Sequence, residues 1–121
     1  MSELNALSLR SGCPIATTLD IVGDRWTLVI VRDLINGKRR VGQFLDSPEG
    51  ITTSVLADRL ARLETCGLVT RSPYQQGPTR HEYELTEMGA ALRPVLQDIC
   101  RWANRYIPGT WTPPERFMAP A

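Results

Sequence analysis

The hydrophobic period of this chain changes twice, and that change limits the fold more than any other feature of the sequence. From Ile15 to Leu63 the apolar residues recur at helical spacing. From Leu68 to Leu85 they alternate, and from Leu92 to Tyr106 the helical spacing returns. Pro14 suits the first turn of a helix carrying Ile15, Leu19 and Val22, and Gly23 ends it. Asp24 is expected to cap a second helix, Trp26 to Leu34, which is apolar nearly all round and so reads as buried and central. Asn36-Gly37 stops it. A short helix with Val41, Phe44 and Leu45 follows, then a turn from Ser47 to Gly50. Thr52 or Thr53 caps the next helix, whose stripe is Leu56, Leu60 and Leu63. Leu68 to Arg71 and His81 to Leu85 read as two strands around a Gly77-Pro78 tip. In the last helix Pro94 demands a kink or a late start.

Length and charge set weaker bounds. The chain has 121 residues, enough for one compact domain with short arms. Its net charge is only +1, so a case for nucleic acid must be local. Residues 1–12 read as a flexible N-terminal arm and 108–121 as a Pro-rich tail expected to pack loosely. Three widely spaced cysteines, with no apolar leader ahead of them, fit a reducing cytoplasm. No apolar run reaches membrane-span length, the longest being cut by Arg32 and Asp33.

A short helix, a tight turn and a second helix make a helix-turn-helix, whose second helix lies in the major groove of DNA. With its leucines facing inward, the helix after Thr52 turns Ser54, Asp58, Ala61 and Thr65 outward, flanked by Ala57 and Arg62. That face is small and polar, as close approach to base edges requires; a plain solvated helix has a similar face. The hairpin with Arg80 reads as a wing reaching the DNA backbone or minor groove. Lys38-Arg39-Arg40 is the densest basic cluster and precedes the short helix, where a helix-turn-helix crosses the backbone.

Cys13-Pro14, Gly23-Asp24-Arg25-Trp26-Thr27-Leu28, Gly37 with Arg39-Arg40, and Gly50-Ile51-Thr52 with Leu56, Arg59-Leu60 and Leu63-Glu64 form an ordered set. Gly67-Leu68-Val69 with Arg71, and the run from Pro78 to Thr86 with Gly89, complete it. The set resembles the HxlR-type family of bacterial transcription factors over about residues 13–107. The resemblance implies a fold that is mostly α with a small β-hairpin wing: a winged helix-turn-helix dimerising through N- and C-terminal helices. It implies DNA contacts from Thr53, Ser54, Asp58 and Arg62, beside Thr52, and from Arg80 on the wing. Several members of that family sense electrophiles or oxidants through the cysteine at the position of Cys13, which makes it the candidate redox sensor; a purely structural role is the other reading. Val41 stands where the family usually has Phe and Gln43 where it has Glu, which bears on packing of the short helix.

Homodimerisation is also expected on physical grounds. Leu92, Val95, Leu96, Ile99, Trp102, Ala103 and Tyr106 make a stripe longer than so small a domain covers, and Ile15 and Leu19 of the first helix are its expected partners. A two-fold dimer would set two reading helices one DNA turn, or a multiple, apart on a palindromic site. A small-molecule effector pocket beside those helices would have Trp26 and Trp102 as wall candidates, unless both are core. One histidine, His81, with no nucleophile–base pair and no clustered ligands argues against an enzyme, a cofactor or a metal site. The rival reading is a winged helix that binds protein and not DNA.

Overall fold

The computed structural model describes residues 10–75 and 80–120. Most of the N-terminal arm and the wing tip at Gly77-Pro78-Thr79 therefore lie outside the described residues. The elements follow in the order α1 Pro14–Val22, α2 Thr27–Ile35, α3 Val41–Leu45, α4 Thr53–Thr65, β1 Val69–Gln75, β2 Arg80–Leu85, α5 Glu87–Ala90, α6 Arg93–Tyr106 and α7 Glu115–Met118.

Ile30 and Val31 of α2 are the centre of the core, packed among Phe44 of α3, the leucines Leu56, Leu60 and Leu63 of α4, and Leu68 and Val69. The start of α2 is fixed by Asp24. Its carboxylate accepts the backbone N–H groups of Trp26 (3.0 Å) and Thr27 (3.2 Å) and the Thr27 hydroxyl, and it takes the Arg59 guanidinium of α4 at 2.8 Å. One side chain thus caps α2 and holds it against α4.

β1 and β2 form a two-stranded antiparallel sheet in which Val69 faces Leu85 and Arg71 faces Tyr83. Gly67, at φ +81°, turns the chain from α4 into β1 in the left-handed region that glycine tolerates best. Thr86 closes the far end: its hydroxyl donates to the Gly67 carbonyl at 2.6 Å and accepts the Gly89 N–H at 3.1 Å. Pro94 acts through a late start. α5 ends at Ala90, and α6 begins afresh with Pro94 in its first turn, where no backbone N–H is needed.

The expectation of a loose C-terminal tail is corrected. Phe117 is 4% exposed and belongs to the core. Gln97, buried on α6, donates to the carbonyls of Phe117 (3.0 Å) and Ala119 (2.8 Å), and Arg93 donates to that of Arg116 at 2.5 Å. A Pro-rich segment without a period of its own still packs when one aromatic residue and two polar side chains anchor it.

Candidate nucleic-acid interface

The turn that feeds α4 is held by polar groups, two of them, Asp33 and Ser47, buried. Ser47 is buried, and its hydroxyl donates to Asp33 and accepts from the Lys38 ammonium at 3.0 Å. Arg32 grips Glu49 with two bonds of 2.7 and 2.8 Å and Asp33 with two of 3.0 and 2.9 Å. The Arg32 guanidinium holds the Glu49 carboxyl below its ordinary range, and Glu49 in turn raises the guanidinium further. The end of α2 is thereby tied to the turn between α3 and α4. Gly50, at φ +74°, leaves that turn, and Thr52 caps α4 by accepting the Val55 N–H at 3.4 Å.

On α4 the outer face is as the wheel predicts. Thr53, Ser54, Ala57, Asp58, Ala61 and Thr65 are exposed, while Leu56, Leu60 and Leu63 are buried. Two of its charged residues are engaged at home. Asp58 pairs with Arg59 at 2.5 Å, and Arg62 donates to the Asp20 carbonyl of α1 at 2.6 Å.

The basic run lies along the hairpin. The Arg39 carbonyl accepts the Tyr83 N–H at 2.8 Å and Arg40 bridges to Glu82, so residues 39 and 40 form a third, minimal edge beside β2. Arg39 pairs with Glu84 at 3.1 Å; Arg40 pairs with Glu82 at 3.5 Å and lies 3.6 Å from the Tyr74 ring centroid. Lys38 turns the other way, toward Ser47 and Asp33. Gln43 closes this corner, its amide oxygen accepting the N–H groups of Arg39 (2.8 Å) and Arg40 (3.0 Å). Arg80 is exposed at the start of β2, opposite Gln75. Arg71, paired with Glu64 at 3.6 Å, ties the hairpin to the end of α4.

The apolar stripe of α6 divides in two. Val95, Ile99, Trp102 and Tyr106 are exposed, and so are Ile15 and Leu19 of α1. Leu92 and Ala103 are half-buried against their own subunit. Leu96 is corrected as a dimerisation residue: at 6% exposure it is part of the subunit's own core, facing Phe117 and α2 and not a partner. Cys13 is exposed immediately before α1; Cys66 is buried, and burial pushes the Cys100 thiol up. Trp26 packs on the core, and Trp102 stacks near Tyr106, with ring centroids 5.8 Å apart. Neither lines the cavity between α2, α6 and the C-terminal segment, which has Trp111 on its wall instead. The Asp24–Arg59 and Arg32–Glu49 links were invisible in the sequence, because partners 35 and 17 positions apart share no period.

A capped helix with a small polar outer face, preceded by a short helix and a fixed turn and flanked by a two-stranded hairpin, defines a winged helix-turn-helix protein. The chain belongs to the HxlR-like helix-turn-helix family, whose model matches residues 21–110. It is 40% identical over 95 residues to the uncharacterized HTH-type transcriptional regulator YdeP of Bacillus subtilis (strain 168), covering 78% of this chain and 74% of that one. Among solved structures it is similar to PA1607 (TM-score 0.75, 36% identity, 86% of this chain and 73% of that one). It is also similar to the redox regulator HypR in its reduced form (TM-score 0.70, 35% identity, 76% of this chain and 91% of that one). Among the described residues no helix is long and apolar enough to cross a membrane.

Proposed function

We propose that this helix-turn-helix regulator works in the cytoplasm as a homodimer on a palindromic DNA site, reading it with α4 and gripping its flanks with the hairpin. The observation that carries the reading is the exposed, small polar face of α4 lying next to a hairpin edged with arginine. Thr53 and Ser54 at the start of α4 meet base edges, with Asp58 and Arg62 further along. Thr52, at the helix N-terminus, meets a phosphate. Arg80, Arg39 and Arg40 contact the backbone, the last two exchanging Glu84 and Glu82 for phosphates; Lys38 adds positive potential from behind the turn. Ile15, Leu19, Val95, Ile99, Trp102 and Tyr106 meet their copies across the two-fold axis, with Leu92 and Ala103 at its margin.

The test is a gel shift with the DNA upstream of the chain's own gene, across salt concentration. A steep fall of affinity with salt is expected, and Arg80→Ala weakens binding to all sequences alike while Ser54→Ala changes which site is preferred. No shift at low salt would sink the reading and favour a winged helix that binds protein.

Cys13 is proposed as a redox or electrophile sensor, a reading supported by its exposure at the head of α1 and by the likeness to HypR, a redox regulator. Diamide is expected to give a disulfide-linked dimer on a non-reducing gel and to change DNA affinity, and Cys13→Ser to abolish both. Unchanged DNA affinity under oxidant overturns the sensor role.

A further inference from the structure

A cavity of about 520 Å³ opens between α2, α6 and the C-terminal segment. Small-molecule sites commonly measure about 300–1,000 Å³. Leu28 and Val29 of α2, Ile99 of α6, and Trp111 and Pro113 of the C-terminal segment give it apolar walls. Trp111 is 72% exposed, so most of its indole is uncovered. The packing of Phe117 is what brings that segment across to make the third wall.

The other end is charged. Arg32, Lys38 and Asp33 border the cavity. The Asp33 carboxylate is fully engaged: one oxygen takes two Arg32 donors at 3.0 and 2.9 Å, the other takes the Ser47 hydroxyl. Arg32 directs its remaining bonds to Glu49. Lys38, by contrast, donates to Ser47 at 3.0 Å and stands 3.9 Å from Asp33, and an ammonium has three donors. Arg32 and Lys38 are thus balanced by Asp33 and Glu49, and the available donors of the cluster are those of Lys38.

We propose that this cavity binds a small aromatic monoanion, its acid group on Lys38 and its ring against Trp111 and Pro113, and that such a molecule is the effector of the regulator. The effector role rests on the DNA-binding reading above; the site itself does not. Coupling runs through groups already described. The ammonium that meets the ligand also holds Ser47, and Arg32 on the same wall holds Glu49. Both partners lie in the turn that sets α4. A ligand that draws Lys38 from Ser47 favours one placement of that turn over another, which is the differential contact an effector needs.

Two fluorescent probes separate the parts of the claim: anilinonaphthalene sulfonate, an aromatic monoanion, and phenylnaphthylamine, with the same rings and no acid. Titration of the full chain is expected to show saturable sulfonate binding about tenfold tighter than the amine, the worth of one charge-assisted hydrogen bond. Lys38→Met removes that preference and leaves the amine unchanged. Trp111→Ala, at an exposed position that keeps the fold, weakens both probes. Saturating sulfonate shifts the DNA affinity of the native chain and not that of Trp111→Ala. Equal binding of the two probes, or sulfonate binding indifferent to both variants, overturns the site. Binding at the site with DNA affinity unchanged overturns the effector role. A chain that shifts no DNA even without probe contradicts the DNA reading alone, and the fluorescence arms still decide the site.

Discussion

Asp24 shows how much one carboxylate can organise. Burial by itself would raise its pKa. The Thr27 hydroxyl, Arg59 and the Trp26 N–H outweigh burial and hold the carboxyl at about 2, against an ordinary 3.8. A carboxyl depressed in the folded state stabilises the fold fully above 3.8, and the contribution is lost as pH falls through about 2. At about 1.4 kcal/mol per pH unit the effect is at most on the order of 2 kcal/mol, and solvent screening of so exposed a group reduces it. Urea denaturation is therefore expected to show Asp24→Asn less stable than the native chain by about 1–2 kcal/mol near neutral pH, the gap closing as the solution is acidified. A gap that stays constant down to acid pH would mean that the charge of Asp24 contributes nothing.

Among the elements, the hairpin and the C-terminal segment depend most on single close approaches. Gly89 of α5 sits against the Leu68 carbonyl: a Cβ there would lie 2.1 Å from that oxygen and 2.9 Å from a Leu85 methyl. Backbone cannot move aside as a side chain can, so Gly89→Ala is expected to cost more than about 2 kcal/mol in thermal or urea melts. Phe117→Ala is expected to cost about 3–4 kcal/mol, where a loosely packed tail would lose under about 0.5. The helices of the reading unit were legible from their periods, because leucines at fixed spacing on α4 leave one way to face the core. The third edge at Arg39 and Arg40 was not legible. A loop gains strand pairing only when another element comes alongside it, and nothing local to residues 38–40 announces β2.

At the scale of the whole molecule the exposed apolar residues of α1 and α6 are the dominant fact. Trp102 is 60% exposed and Ile15 72%, an arrangement that a lone small domain would be expected to avoid. Sedimentation is expected to find a dimer, and Ile15→Glu with Trp102→Glu to yield a folded monomer with unchanged helical circular dichroism. That monomer should bind a palindromic site with at least tenfold lower affinity, since one reading helix no longer positions the other. A native chain that sediments as a monomer would remove the interface.

The sequence by itself determined the order of helices and hairpin, the buried α2, the leucine stripe of α4 and an interruption at Pro94, by kink or late start. Each follows from period, capping and proline chemistry acting within a few residues. Tertiary structure alone decided how the apolar face of α6 is shared. Leu92, Leu96 and Ala103 lie one step round the helix from Val95, Ile99, Trp102 and Tyr106, and both rows are apolar. Only the seating of Phe117 and α2 on the first row leaves the second outside. The same seating walls the cavity beside Trp111, while Ser47 and Asp33 hold Lys38 away from the hairpin. Contacts between residues far apart in the chain choose among faces that local chemistry leaves equivalent.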